Sequence, residues 1–223
     1  VKKVLVKGAI VSNDLKVVYD WYEIDSTAPN DIRDAINSAN GEDLEVEIMS
    51  GGGDVFAGSE IYSLLKQYER FVTVKVMSIA ASAASVIAMA GNKILMSPTA
   101  QIMIHNASAS SSGDYRDMNK TAEILQGVNE TIANAYTLRT GKNKEEVLAL
   151  MDKETWLTPQ MAIEHKFADE IMFGEQLSLT ASVTNGILPM EVVNKALESI
   201  RAEKESKLDA IKAKLNELKK GGE

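Results

Sequence analysis

The 223-residue chain carries 24 Lys and Arg against 32 Asp and Glu, a formal net charge of −8, and is 45% hydrophobic but only 5% aromatic. That is material for one sizeable core built from Ala, Val, Ile, Leu and Met, plus an appendage, and the acidic balance disfavours a nucleic-acid partner. With no Cys, disulfides, thiolate catalysis and Cys-based metal centres are excluded; with no signal-peptide pattern and no apolar run of about 18 residues, a cytoplasmic protein without a membrane span is expected.

In chain order, residues 2–10 read as a strand, with a turn at Ser12-Asn13-Asp14 and a second strand-like stretch at 15–19. A helix starts around Thr27 to Asp31 and places Ile32, Ala35, Ile36 and Ala39 on one face until Gly41. Leu44, Val46 and Ile48 alternate with acids as a strand that runs into Ser50-Gly51-Gly52-Gly53-Asp54, and a helix follows over roughly 55–69. The strand Val72 to Met77 delivers the chain to Ser78-Ile79-Ala80-Ala81-Ser82, and a helix of small residues extends from Ala83 to Ala90. Lys93 to Met96 and Gln101 to Ile104 read as short strands, the second ending at His105. A long helix at about 114–140, short helices at 143–151 and after Thr158-Pro159, and a strand over Phe167 to Met172 complete this part. The alternation of strand and helix indicates an α/β protein with a largely parallel sheet. Beyond Gly174, residues 174–189 read as a polar linker and 190–223 as a charged amphipathic helical tail.

Few residues offer chemistry. His105 stands at a strand end before a polar loop, where α/β proteins display active groups, although a backbone carbonyl would equally satisfy it. Ser82 sits at a strand-to-helix junction among alanines, where free backbone N–H groups of a helix start could face an oxyanion; a simple helix cap reads the same way. Ser78 and Ser85 are local rivals. Gly51-Gly52-Gly53 can present N–H groups to an anion or a peptide, but lacks the Lys-Ser/Thr pair and the glycine spacing of nucleotide-binding loops. Asp169 or Asp152 could orient a histidine base. His165 beside Glu164 and Lys166 reads as a surface residue, and its separation from His105 argues against a metal site. No metal and no cofactor is expected.

Ala80-Ala81-Ser82-Ala83-Ala84-Ser85-Val86-Ile87-Ala88-Met89-Ala90-Gly91 resembles the nucleophile segment of the Clp protease proteolytic subunit family, and Met103-Ile104-His105 resembles its histidine segment. Ser50 to Gly58 is similar to the glycine-rich oxyanion and substrate loop, with Gly51 where the family usually has proline. Asp152 to Ala162 resembles the segment before the acidic triad member, and Phe167 to Ile171 would supply that member at Asp169. The resemblance spans about residues 3–173 and is greatest to the phage and prophage branch, thought to act in head maturation.

The resemblance implies a Clp-protease/crotonase-like fold of repeated β-β-α and βα units in a domain over 1–173, with a protruding handle helix at about 114–140 and a C-terminal helical extension. It implies a serine endopeptidase with Ser82 as nucleophile, His105 as base and Asp169 orienting it. Gly52 and Ala83 would form the oxyanion hole, and Gly53, Asp54, Val55 and Asn106 would hold the polypeptide substrate. Homo-oligomeric, heptameric or paired rings are implied, with capsid, scaffold or portal proteins as partners in a prohead. An ATPase partner is not expected, because the docking segment at the N-terminus is very short. Competing readings are a catalytically silent ring or scaffold subunit, a crotonase-like acyl-CoA enzyme using pocket carboxylates, and a membrane peptidase with a Ser-Lys pair.

Overall fold

The fold is given by a computed structural model, which describes residues 1–173; the expected linker at 174–189 and helical tail at 190–223 lie outside the described residues. In chain order the first elements are β1 (Lys2–Ile10), α1 (Asn13–Trp21), β2 (Ser26–Thr27), α2 (Pro29–Ser38), β3 (Leu44–Gly53), α3 (Val55–Gln67), β4 (Val72–Ala81) and α4 (Ala83–Ala88). There follow β5 (Lys93–Met96), β6 (Gln101–Ile104), α5 (Tyr115–Thr140), α6 (Lys144–Asp152), β7 (Thr155–Leu157), α7 (Pro159–Glu164) and β8 (Glu170–Ile171).

The central strands form because β-branched and aliphatic residues recur at every second position. Val4 and Val6 of β1 stand level with Val46 and Ile48 of β3, and these with Val74 and Val76 of β4. All six are buried, so one sheet face carries continuous apolar rows across three strands. The intervening positions hold opposite charges, such as Lys75 Nζ at 2.6 Å from Glu45 on the neighbouring strand. The apolar face is covered by helices, with Ile32 from α2, Ile61 and Leu65 from α3, and Ile87 from α4 all buried in one cluster.

The strands pair in the order β2-β1-β3-β4-β5-β8. β4 is shared at its far side: Thr73 to Val76 pair in parallel with β5, whereas Ile79 to Ala81 pair in parallel with β6, on which β7 lies antiparallel. The sheet therefore divides at the carboxyl end of β4, where open α/β sheets place their sites.

Two expectations are corrected. Residues 15–19 are not a strand but part of α1, because Ser12 Oγ accepts the Leu15 N–H and caps a helix none of whose residues is buried, so no inward–outward alternation exists. The expected strand from Phe167 to Met172 contracts to Glu170–Ile171, since Phe167 and Ala168 are buried in the turn that precedes it.

The packing of α3 on α4 depends on Gly58. A Cβ there would lie 2.9 Å from the Ala83 Cβ, whereas a Cβ at Gly127 of α5 would meet nothing within 4 Å. Gly127→Ala is expected to stabilise the fold by up to about 1 kcal/mol, the ordinary helix gain. Gly58→Ala is expected to have the opposite sign, a loss of roughly 1–3 kcal/mol from overpacking. Paired urea unfolding curves check this, and equal gains at both positions would contradict the close approach.

Candidate active site

The divided sheet brings two chain ends together. The Ser82 N–H donates to the carbonyl of Met103 at 3.0 Å, which extends the β4–β6 pairing by one bond and holds the end of β4 against the end of β6. His105 follows one residue after β6, and its Nε2 lies 2.8 Å from Ser82 Oγ. Both residues are half-buried. That is the separation at which an imidazole can take a hydroxyl proton.

Ser82 adopts φ 54° and ψ −127°, a conformation that costs a residue with a Cβ of order 1–3 kcal/mol. The strain is held by bonds to the same peptide unit and its neighbour. Besides the N–H bond to Met103, the Ser82 carbonyl accepts the N–H groups of Ser85 at 2.9 Å and Val86 at 3.3 Å as α4 begins. Ala83 is the first residue of that helix, so its N–H has no carbonyl acceptor within the helix and borders the cleft.

The loop after β3 packs directly against this turn. Gly52 has φ 94°, and a Cβ on it would fall 2.6 Å from both the Ala81 carbonyl oxygen and Ser82 Cβ. Only glycine lets the two backbones meet here. The expectation that Gly52 donates to an oxyanion is corrected, because its N–H already donates to Ser50 Oγ at 3.1 Å, and that buried hydroxyl donates onward to the Gly8 carbonyl at 2.6 Å. A Cβ at Gly51, where the family usually has proline, would meet nothing within 4 Å, so a larger residue has room there.

A cleft of ≈ 310 Å³ opens beside Ser82 and His105. Gly53, Asp54 and Val55 line it, as do Val128, Ile132 and Tyr136 of α5, which give it an apolar wall. Asp54 is not free for acid–base work: its Oδ1 accepts the Ala57 N–H at 2.8 Å and caps α3. Asn106, also expected to bind substrate, is not on the cleft wall. Its Nδ2 donates to Asp152 Oδ1 at 2.7 Å, and its Oδ1 is buried without a partner.

Asp169 is brought to a different place. Its carboxylate accepts the Ile94 N–H at 2.7 Å and pairs with Arg139, while its own N–H donates to the Ile94 carbonyl. Ile94 is level with Val74, eight residues before Ser82 along β4, which at about 3.3 Å per residue puts Asp169 on the order of 20 Å from the dyad. Its expected role in orienting His105 is therefore corrected to a structural tie between α5 and the β5–β8 edge. The ring of His105 makes no hydrogen bond other than that to Ser82 among the described residues. β6 and β7 pair Ile104 with Thr155; His105 follows Ile104, and Glu154, in a turn at φ 49°, precedes Thr155. Sequence periodicity could not reveal this, because the pairing is antiparallel and joins segments fifty residues apart.

A model of the Clp protease family matches residues 23–175. The chain belongs to the Clp protease family. A relative from Nocardia farcinica, ATP-dependent Clp protease proteolytic subunit 2, is 33% identical over 132 residues, 58% of this chain and 65% of its own length. The ATP-dependent Clp protease proteolytic subunit 2 of Thermobifida fusca is 29% identical over 177 residues, 77% of this chain and 85% of its own length. The first of these matches thus spans less than two thirds of the relative. Among solved structures, a ClpP1 point mutant from Listeria monocytogenes superposes with a TM-score of 0.63 at 22% identity, covering 77% of this chain and 91% of that one, and so shares the fold. The expected Clp-protease-like α/β fold is the fold observed.

The strain at position 82 can be measured directly. Ser82→Gly relieves the positive φ, whereas Ser82→Ala keeps it, so the glycine variant is expected to be more stable than the alanine variant by about 1 kcal/mol despite its more flexible unfolded chain. Denaturant midpoints of the two variants test this. A less stable glycine variant would show that the turn is unstrained.

Proposed function

We propose that the chain is a serine endopeptidase in which Ser82 Oγ attacks the scissile carbonyl and His105 Nε2 takes its proton. The 2.8 Å contact between the two atoms at the mouth of an apolar cleft carries this reading. The attack forms a C–O bond and a tetrahedral oxyanion; its collapse breaks the C–N bond as His105 returns the proton to the leaving amine. Water, deprotonated by His105, then attacks the Ser82 acyl ester; the ester C–O bond breaks, His105 returns the proton to Ser82 Oγ, and the carboxylic acid is released.

The oxyanion is assigned to the N–H groups of Ala83 and Gly53. Asp54 N–H donates to the Ile10 carbonyl, and backbone groups alternate sides along a strand, so the Gly53 N–H faces away from β1 and toward Ser82. Glu154 is assigned the role of orienting His105. Glu154 adjoins Thr155, the partner of Ile104, and so stands in a turn beside the end of β6 that leads into His105. Among the described residues its carboxylate accepts the indole N–H of Trp156 at 3.3 Å, a bond it would exchange for one from the imidazole.

An extended peptide fits between the 53–55 segment and residues 107–109, with an apolar side chain against α5. Assembly into an oligomeric chamber is supported by family membership and by α5, in which no residue before Ile132 is buried. The narrower role in prohead or scaffold processing rests on resemblance to the phage branch. A crotonase-like reading is disfavoured because, among the described residues, the one carboxylate on the cleft wall, Asp54, caps a helix.

Hydrolysis of unstructured peptides by purified variants tests the proposal. Ser82→Ala and His105→Ala are each expected to lower kcat/KM by roughly 10⁴-fold or more, and Glu154→Gln by at least about 100-fold. Asp169→Asn is expected to keep kcat within about threefold while lowering stability, as for loss of a partly exposed ion pair. Activity that survives Ser82→Ala would exclude the nucleophile assignment, and an inactive but folded Asp169→Asn would restore Asp169 to the triad.

A further inference from the structure

The strained turn at Ser82 has one support that the chemistry above does not use. Ser85 is wholly buried in α4, and its Oγ lies 2.6 Å from the Ser82 carbonyl and 2.7 Å from the hydroxyl of Tyr136, itself buried on α5. A serine hydroxyl has one proton, and a carbonyl can only accept. Ser85 therefore donates to Ser82, and Tyr136 must donate to Ser85. Burial raises the Tyr136 pKa well above its usual value and keeps this donor protonated. The tyrosine ring is wedged against Phe167, with ring centroids 5.8 Å apart, and its Cα stands on the only stretch of α5 that is buried.

We infer that Tyr136, acting through Ser85, is a positioning residue that holds the Ser82 backbone in its reactive conformation and ties the nucleophile to the placement of α5. The inference rests on the assignment of Ser82 as nucleophile. The Ser82 carbonyl belongs to the peptide unit whose N–H, on Ala83, faces the oxyanion. A shift of that unit therefore moves the attacking oxygen and an oxyanion donor together. Buried hydroxyls linked in series also stiffen one another, since each unmet partner in a dry interior is costly. Because α5 from Tyr115 to Thr131 has no buried residue, whatever packs on that arm acts on a helix whose anchored end reaches the active turn through two hydroxyls.

The full chain tests this by the second-order rate of Ser82 labelling with a fluorophosphonate, read alongside kcat, KM, the pH–rate profile and Tm. Tyr136→Phe keeps the ring and removes only the donor; Ser85→Ala removes the relay. Each is expected to slow labelling and lower kcat by roughly fivefold or more, the effect of one hydrogen bond, with KM little changed because the cleft wall keeps its shape. The pH midpoint, set by His105, is expected to stay in place. The double variant is expected to be no slower than the worse single variant, as for residues in one network. Variants labelled at the wild-type rate with only a lower Tm, or losses that multiply in the double variant, would overturn the positioning role. A wild type that fails to label would overturn the Ser82 assignment itself, and the positioning role with it.

Discussion

The structure depends on the way one strand is shared. β4 pairs with β5 along its first half and with β6 along its second, and the hydrogen bond from the Ser82 N–H to the Met103 carbonyl closes that second pairing. With the strand end pinned there and α4 starting at the next residue, the backbone at Ser82 is driven to positive φ. The same pairing carries His105 to the end of β6, where its Nε2 meets Ser82 Oγ. Ser82 and His105 are thus brought together by the sheet, with no loop among the described residues folded over them. Loops and α5 supply the walls.

Alanine and glycine are what make this geometry possible. The β3 loop reaches the Ser82 turn because Gly52 has no side chain, and α3 reaches Ala83 because Gly58 has none. Ser50 then fixes the loop from beneath, with its hydroxyl bridging Gly52 and Gly8. The low aromatic content of the chain fits a core in which main chains approach closely. The aromatic side chains that are wholly buried, Tyr136 and Phe167, meet where α5 joins the body of the fold.

Local pattern in the sequence was enough for the central strands and the helices from α2 to α7, whereas the pairing of Ser82 with His105 came only from the resemblance to the Clp protease family. Val46, Ile48, Val74 and Val76 alternate cleanly because one sheet face is buried. The α1 segment was misread because a helix with no buried residue shows no useful periodicity, and its two adjacent valines favour a strand reading. Asp169 was misassigned for another reason. Its assignment came from the resemblance of Phe167 to Ile171 to the family segment with the acidic triad member, but β8 joins β5, at the opposite end of β4 from Ser82. Register is a property of strand pairs, so the bond that spends the Gly52 N–H and the nearness of Glu154 to the end of β6 became visible only with the pairs in place. The Tyr136–Ser85 contact, between residues 51 apart, has no sequence signature at all.

The central claim is that Ser82 is an activated nucleophile and His105 activates it. Intact-mass spectrometry after fluorophosphonate treatment, on wild type, Ser82→Ala and His105→Ala, tests it most directly. One adduct per chain on the wild type is expected, absent from Ser82→Ala and strongly reduced in His105→Ala. A folded, assembled wild type that takes no adduct, or an adduct that persists in Ser82→Ala, would contradict it.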